Sequence, residues 1–317
     1  MRCDALLGGL LLAAIVAPAA HAAVVTVVDC TAPPVLAKGS STSIDVHGDD
    51  LVIACPLVPL PGTGRIKLHA RRITVAGPAG SVVTPAGKLA IKVRADADLT
   101  IENTSVETTG NGAIRLTARS GITINNSVVT TGGTDVFGRS ILLQCNDAGC
   151  PLDVSRSSVV SNHIKVVIQG TITAVDSTVL SRGGRALVTV RSRAGDVKLC
   201  CDQVQSTNEG NVFIDAARDV DLSSTLIATG ENIWVRAGLA GAGSAQLANS
   251  SLTNDFGKEG QIEVTAAGGA GQVDIGGASL VDDDYPRRST DVSELNGREE
   301  VPHQGFNNTV GTPDTDT

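Results

Sequence analysis

Aspartates recur at one position along this chain, and a pair of carboxylates placed across a bound sugar can hydrolyse a glycosidic bond. Each lies directly before a short strand-like segment: Asp96, Asp98, Asp196, Asp219 and Asp221. Gly121 and Ser244 take the same place in other segments. Because Asp, Gly and Ser are the usual residues of turns, we interpret these aspartates as turn residues. The catalytic residues stay unassigned.

Three other short motifs resemble functional sites only in part. The tripeptide RIK at 65–67 has no acidic or histidine partner motif upstream, so we interpret it as part of a strand. The segment GGAGQVDIG at 268–276 differs from a Ca²⁺-binding nonapeptide because Asp274 is one place late and tandem copies are absent. The acidic run at 282–284 is interpreted as facing solvent. None of the three predicts a metal site.

The histidines and the tryptophan are candidate ligand-binding residues. His47, His69, His163 and His303 lie in unrelated sequence settings, without a nucleophile motif nearby. We therefore predict no metal site, no cofactor and no Ser/His/Asp catalysis. Trp234 stands between two apolar residues of a strand-like segment. If those two point inward, its ring points outward, where an aromatic side chain offers a surface to a sugar.

The chain contains seven cysteines, of which Cys3 lies in a predicted signal peptide. Six cysteines in an exported protein favour disulfides, and six allow fifteen pairings. Our choice is Cys30–Cys55 together with Cys145–Cys150, which closes the loop CNDAGC. A vicinal pair, Cys200 and Cys201, is then left over.

The first 22 residues, MRCDALLGGLLLAAIVAPAAHA, carry a basic residue, an apolar run and small residues at the end. This order is typical of a secretory signal peptide cleaved after Ala22. The apolar run is shorter than the roughly 20 residues that span a membrane. We therefore expect a secreted or periplasmic protein with no transmembrane segment after cleavage.

The composition of the 317 residues limits both fold and partner. Hydrophobic residues make up 42% of the chain, which is enough for a core. The core must be narrow, because the chain has one Trp, one Tyr and four Phe. The net charge is −8, and the basic residues are scattered along the sequence. A basic stripe with aromatics is the usual mark of nucleic-acid binding, so we expect no nucleic-acid partner.

Two similar phrases, DLTIENTSVETTG at 98–110 and GITINNSVVTTGG at 121–133, reveal an internal repeat. Each holds an apolar anchor followed five places later by another apolar residue, namely Ile101/Val106 and Ile124/Val129. Similar pairs are Ile53/Val58, Val75/Val82, Val154/Val159, Ala174/Val179, Leu199/Val204, Leu222/Ile227, Leu247/Leu252 and Ile275/Leu280. Successive anchors are about 20–30 residues apart, a period typical of solenoids.

A second part of each copy lies about ten residues before the anchor and alternates apolar and polar residues. Examples are IKVRA at 91–95, IRLTA at 114–118, IKVVI at 164–168, VFIDA at 212–216, IWVRA at 233–237 and IEVTA at 262–266. Such alternation predicts strands with one buried face. Stacked copies then form an all-β, right-handed parallel β-helix of about ten coils. The alternative, a β-propeller, needs about 40 residues per blade.

The residue two places after the anchor predicts a corner. It is Asn103, Asn126, Asp176 and Asn249 in four copies, and Cys55 and Cys201 in two others. Asn tolerates the left-handed conformation, and stacked Asn side chains form hydrogen-bonded ladders. An alternative is N-glycosylation at Asn103, Asn125 or Asn249, each in an N-x-S/T sequence.

These patterns divide the chain into a signal peptide at 1–22, an N-terminal cap at 23–41, a β-helix at 42–284 and a mostly disordered tail at 285–317. Over about residues 42–282 the repeat resembles right-handed β-helix proteins of the pectate-lyase-like superfamily. Its phrasing is similar to the haemagglutinin-type repeats of bacterial adhesins. The regular rows of side chains, the lack of an assembled acid–base set and the disulfides favour a non-enzymatic, adhesin-type protein whose flat faces bind a polysaccharide or another cell-surface macromolecule. The alternative is a divergent polysaccharide lyase or glycoside hydrolase on a pectate-lyase-like fold.

Overall fold

The computed structural model describes residues 25–27, 36–38, 41–57, 64–77, 81–84, 90–110, 112–132, 140–183, 186–207, 210–254, 262–267, 273–274, 276–282 and 290–294. All regular elements in these ranges are β-strands. Within the same ranges, no helix is long and apolar enough to span a membrane. The predicted signal peptide, Cys30, His303 and most of the predicted tail lie outside the described residues.

The strands are short and follow one another at each bend of the chain. The first eleven are β1 (Val25–Val27), β2 (Leu36–Lys38), β3 (Ser41–Ile53), β4 (Pro56–Leu57), β5 (Arg65–Ala76), β6 (Ser81–Thr84), β7 (Ala90–Ala95), β8 (Asp98–Glu102), β9 (Ser105–Thr108), β10 (Ile114–Ala118) and β11 (Gly121–Asn125). The next ten are β12 (Val128–Thr131), β13 (Ser140–Cys145), β14 (Leu152–Ser155), β15 (Ser158–Ser161), β16 (His163–Ile168), β17 (Ile172–Val175), β18 (Thr178–Ser181), β19 (Leu187–Ser192), β20 (Val197–Cys200) and β21 (Gln203–Ser206). The last ten are β22 (Asn211–Ala216), β23 (Val220–Ser223), β24 (Leu226–Thr229), β25 (Ile233–Ala237), β26 (Ala245–Gln246), β27 (Ser251–Asn254), β28 (Ile262–Ala266), β29 (Val273–Asp274), β30 (Ser279–Asp282) and β31 (Thr290–Glu294).

These strands build a parallel β-helix with three faces. The first face contains the opening parts of β3 and β5, then β7, β10, β13, β16, β19, β22, β25, β28 and β31. The second face contains the closing parts of β3 and β5, then β8, β11, β14, β17, β20, β23, β26 and β29. The third face is a ten-stranded sheet that contains β4, β6, β9, β12, β15, β18, β21, β24, β27 and β30. One strand of the third face belongs to each of the ten predicted copies, and the predicted architecture is confirmed. The right hand stays a prediction.

The core is one continuous column of Ile, Val, Leu and Ala side chains between the three faces. The anchors of the repeat lie in it: Ile53, Val75, Ile101, Ile124, Leu222 and Leu247 are each 0% exposed. The alternating segments form strands of the first face, with their apolar residues buried. In the first copy, the described residue that pairs with Val82 is Leu57, which is buried, while the predicted Val58 lies outside the described residues.

The corner between the second and third faces is left-handed in most copies. Positive φ angles occur at Asn103 (52°), Asn126 (46°), Asp176 (52°), Cys201 (62°) and Asn249 (52°), as predicted, and also at Arg156 (47°) and Ser224 (51°). Cys55 is not among them, because the first copy has one residue fewer at this corner. Asn126 donates from Nδ2 to Oδ1 of Asn103 at 2.8 Å, so one step of the Asn ladder is confirmed.

A ladder of buried polar side chains runs beside this corner, one residue further along each copy. Each side chain accepts a hydrogen bond from the backbone N–H of the preceding coil. The acceptors are Ser127 (from Thr104), Ser157 (from Ser127), Ser177 (from Ser157), Asp202 (from Ser177) and Ser250 (from Thr225). Asp202 is therefore a carboxylate at a place that serine occupies in most neighbouring coils.

Both ends of the β-helix carry additional strands. β1 pairs in parallel with β3, and β2 pairs with β3 in the antiparallel direction. Both strands lie within the predicted cap. At the other end, β31 pairs in parallel with β28, so a strand lies inside the segment that we predicted to be a mostly disordered tail. The domain boundaries themselves stay predictions.

Candidate functional site

A row of basic side chains runs along the outside of the first face. Lys67 pairs in register with Lys92, and Lys92 pairs with Arg115. The row continues through Leu142 to Lys165. Since neighbouring strands are about 4.8 Å apart, Lys67 and Lys165 lie about 19 Å apart along the axis. The fold therefore gathers into one row basic residues that are scattered along the sequence.

None of the three leading side chains in this row is neutralised. Within the described part of the chain, Lys67, Lys92 and Arg115 form no ion pair and no side-chain hydrogen bond, and Lys92 and Arg115 are exposed. Like charges placed directly opposite each other on neighbouring strands destabilise a sheet by up to about 1 kcal/mol per pair. Without a bound ligand, the row therefore destabilises the folded protein.

Several cations elsewhere on the surface are paired. On the second face, the Nε atom of Arg72 lies 3.2 Å from Asp98. Arg218 and Lys198 approach Asp196 at 3.0 and 3.8 Å. Arg156 and Arg182 lie off the first face and also form no ion pair, but among the described residues the stacked row of unpaired cations is the one on the first face.

Two grooves surround the basic row. The first has a volume of about 650 Å³ and is lined by Lys67, His69, Lys92, Arg94, Arg115 and Arg119, among others. The second has a volume of about 720 Å³ and is lined by Arg65, Lys92, Arg115, His163, Lys165 and Arg193, among others. Among the described residues that line the two grooves, Asp147 is the only carboxylate. Together they form a continuous cationic surface on a chain of net charge −8.

The sequence contains a signal for this surface that we did not use. In four alternating segments, a basic residue directly follows the first isoleucine: Ile66-Lys67, Ile91-Lys92, Ile114-Arg115 and Ile164-Lys165. The alternation of a strand places these basic residues outward, and stacking places them in one row. Basic residues are scattered along the sequence. On the surface of the folded protein they form a row, so the predicted scatter is wrong for the surface.

An aromatic pair lies on the same face, beyond the basic row. The rings of Phe213 and Trp234 are stacked, with centroids 4.4 Å apart and planes inclined by 11°. Ile233 and Val235, on either side of Trp234, are both 0% exposed. The ring of Trp234 therefore points outward, as the sequence indicates. Its partner Phe213 was not anticipated, although the two residues share a register position on neighbouring strands.

Beside the aromatic pair, a buried carboxylate is clamped by two arginines. Asp215 is 0% exposed and pairs in register with Arg191 on one side and Arg236 on the other. Arg236 donates from Nε and Nη2 at 2.8 and 3.0 Å, and Arg191 donates from Nε at 2.9 Å. Planar guanidinium groups suit such bidentate contacts. This triad ties three successive coils together, and its role is structural.

The five predicted aspartates do not form one acidic site. Asp196 and Asp219 act as turn residues, since they accept hydrogen bonds from the backbone N–H groups of Asp219 and Ser244 at 3.4 and 2.8 Å. Asp98 pairs with Arg72, and Asp221 lies opposite Lys198 in the ladder. Asp96 is the exception, because it contacts two histidines.

His47 and His69 lie against each other, so the prediction that they belong to unrelated settings is wrong. Their ring centroids are 4.9 Å apart. Asp96 accepts from Nε2 of His69 at 2.9 Å. Burial raises the pKa of Asp96, but the hydrogen bond and charge of His69 and the charges of Arg94 and Arg119 outweigh it. The pKa of Asp96 therefore lies below its ordinary value of 3.8.

The cysteines fall into different groups. Cys145 and Cys150 are disulfide-bonded, as predicted, with Cα atoms 5.9 Å apart. Cys55 is disulfide-bonded, and its predicted partner Cys30 lies outside the described residues. Cys200 and Cys201 are free thiols whose sulfur atoms lie 3.3 Å apart. They are the vicinal pair that the predicted disulfides leave over.

The environment of Asp202 next to this thiol pair is unusual. Asp202 is 3% exposed and accepts hydrogen bonds from the backbone N–H groups of Ser177 and Cys200, at 2.7 and 2.8 Å. Burial outweighs both bonds and raises the pKa of Asp202 to about 6. The hydrogen bond with Cys201, followed by burial, raises the pKa of the Cys200 thiol.

Comparisons with known proteins do not identify a family. No family model matches the chain, and no curated protein and no solved structure matches it either. The parallel β-helix and its first face are therefore the findings from which a function has to be argued.

Proposed function

We propose that this protein binds an acidic polysaccharide along the first face of its β-helix, as a non-enzymatic surface-binding protein of the adhesin type. The observation that carries the proposal is the unpaired row Lys67, Lys92 and Arg115. Such a row costs folding energy and is explained if an anionic ligand supplies the missing counter-charges.

The spacing of the row favours an extended polymer over a small anion. Successive cations are one coil apart, about 4.8 Å, which is comparable to the length of one sugar residue. A linear chain with one carboxylate per sugar therefore presents its charges at a matching repeat. The grooves of about 650 and 720 Å³ give room for several sugar residues. The stacked rings of Phe213 and Trp234 extend the same face with an apolar surface for a sugar ring.

Binding is favoured over cleavage by the distribution of carboxylates. Hydrolysis of a glycosidic bond uses two carboxyl groups on either side of the scissile bond. In the described part of the groove lining, Asp147 is the only carboxylate. A location outside the cytoplasm is part of the proposal, supported by the signal-like N-terminus and by the Cys145–Cys150 disulfide.

The experiment is a binding panel by isothermal titration calorimetry. It compares polygalacturonate, alginate and hyaluronan with neutral dextran and with double-stranded DNA. We expect binding to at least one acidic polysaccharide, weaker binding to DNA and none to dextran. Since a hydrogen bond to a charged group contributes about 1.5–3 kcal/mol, replacing Lys67, Lys92 and Arg115 together by Gln lowers the affinity at least 100-fold.

A matched control carries the same change in charge on paired cations of other surfaces: Arg72→Gln, Lys198→Gln and Arg218→Gln. This control retains the affinity within about threefold. Equal losses in both triple variants contradict the proposal, as does binding to DNA alone. Absorbance near 235 nm is followed in parallel, because a lyase releases unsaturated sugars. Release of such products establishes the alternative, a divergent polysaccharide lyase.

A further inference from the structure

Three potential metal ligands meet at the N-terminal end of the first face. Asp45 and His47 are two residues apart on β3, and His47 lies where the pairing of β3 with β5 becomes irregular. His69 on β5 pairs in register with Asp45. One ligand atom from each of the three residues lies within 4.8 Å of the others. Two imidazoles and one carboxylate form the donor set of many zinc sites.

The contacts of His69 leave one ring nitrogen for a cation. Nε2 lies 2.9 Å from Oδ2 of Asp96, and Nδ1 lies 3.2 Å from Oδ1 of Asp45. A neutral imidazole has a single N–H, and a hydrogen bond to Asp96 uses it. The lone pair of Nδ1 then faces a carboxylate oxygen, an arrangement that is repulsive unless a proton or a metal ion lies between the two atoms.

The distance between these atoms fits a bound metal ion. Two ligands that lie about 2.0–2.1 Å from a tetrahedral Zn²⁺ are about 3.3 Å apart, close to the 3.2 Å between Nδ1 of His69 and Oδ1 of Asp45. Asp96 holds the opposite nitrogen of His69, as a carboxylate commonly does for a histidine ligand of zinc. His47 completes the set: its side chain is 75% exposed, and its ring lies against that of His69 with centroids 4.9 Å apart.

An irregularity in β3 directs His47 toward this cluster. The pairing of β3 with β5 shifts between Val46 and Asp50, so that residues 47–49 lie opposite a single residue of β5. Gly48, with a φ of 89°, lies within the shift. Bulges of this kind redirect side chains and are common beside functional sites. This one turns the chain at His47, next to His69.

We propose that Asp45, His47 and His69 bind a divalent transition-metal ion, with Zn²⁺ as the preferred ion, and that Asp96 positions His69. Imidazole ligands favour Zn²⁺ over the hard ions Ca²⁺ and Mg²⁺, which prefer oxygen ligands. Three protein ligands leave one coordination position open to water or to another ligand. His69 also lines the first groove. The metal site is independent of saccharide binding, and either proposal can fail alone.

The test is a zinc titration of the tag-free protein in competition with a chromogenic chelator. The background variant carries Cys200→Ser and Cys201→Ser, because this thiol pair is itself able to bind zinc. We expect one Zn²⁺ per chain and no displacement by millimolar Ca²⁺. His69→Ala and His47→Ala each lower the affinity at least 100-fold.

Two further variants separate the metal site from general effects. Asp96→Asn lowers the affinity 10- to 100-fold, as expected for a residue that positions a ligand. His163→Ala, which removes a histidine elsewhere on the same face, leaves the affinity unchanged. His47 is largely exposed, so its replacement preserves the far-ultraviolet circular dichroism spectrum. Zinc binding that is absent below millimolar concentration, or unchanged in His47→Ala and His69→Ala, overturns the proposal and leaves His69 as a protonated bridge between two carboxylates.

Discussion

Replacing Asp202 by Ser is predicted to remove a pH dependence from the stability of this protein. Asp202 stands in a ladder of polar side chains where Ser177 and Ser250 occupy the equivalent places. A serine hydroxyl can still accept the hydrogen bond from the backbone N–H of Ser177. It carries no charge, so its stabilising effect is the same in acid and at neutral pH.

The magnitude follows from the pKa of Asp202. The pKa is about 6 in the folded chain, compared with an ordinary value of 3.8, and one pKa unit corresponds to about 1.4 kcal/mol. Because the folded pKa is raised, the contribution of Asp202 to stability is fully present below about pH 4 and is lost as the pH rises through 6. The total pH-dependent contribution of Asp202 to the free energy of unfolding is about 3 kcal/mol. About 2 kcal/mol of it is lost as the pH rises from 4 to 7.

The assay is urea unfolding at several pH values between 4 and 7, followed by the fluorescence of Trp234, the single tryptophan. The free energy of unfolding of Asp202→Ser is subtracted from that of the wild type at each pH. We expect the free energy of unfolding of the wild type, minus that of the variant, to increase by about 2 kcal/mol when the pH is lowered from 7 to 4. Asp153→Asn, on an exposed carboxylate of the second face, serves as the control. A difference that is constant with pH, or one of opposite sign, refutes the reasoning.

Two other substitutions test the packing of the coils. Asp215→Ala removes the buried partner of Arg191 and Arg236, whose side chains are 44% and 30% exposed and can be hydrated, and we expect the free energy of unfolding to fall by about 1–3 kcal/mol, measured by urea unfolding. Asn126→Val places a β-branched residue at a φ of 46° and removes the bond to Asn103; we expect a loss of about 1–3 kcal/mol. Asn126→Gly is the control for backbone strain, since glycine tolerates this conformation. A larger loss in Asn126→Gly than in Asn126→Val contradicts the interpretation.

The fold was predictable because each coil repeats the same local rules. The alternation of apolar and polar residues predicts the strands of the first face. The anchors Ile101 and Ile124 predict where the chain turns from one face to the next. The left-handed corners followed from Asn103 and Asn126. The first coil was predicted less well, because its corner has one residue fewer and Leu57 takes the place assigned to Val58.

The candidate sites were not predictable by the same rules, because they arise between coils. Lys67, Lys92 and Arg115 are separated by more than 20 residues each and become neighbours only through the register. His47 and His69 meet because β3 carries a bulge that no repeat pattern indicates. Insertions of variable length between the strands hide the register in the sequence. The sequence contains one signal of the basic row, namely the basic residue that directly follows the first isoleucine in four alternating segments.

The most direct measurement of the central claim is protection of lysines from chemical acetylation, read residue by residue by mass spectrometry. The chain contains its own control, since Lys198 is exposed on the second face while Lys67, Lys92 and Lys165 lie on the first. With a bound acidic polysaccharide, we expect acetylation of Lys67, Lys92 and Lys165 to slow at least fivefold, while Lys198 reacts at its free rate. Equal protection of all four lysines, or protection of Lys198 alone, contradicts binding along the first face.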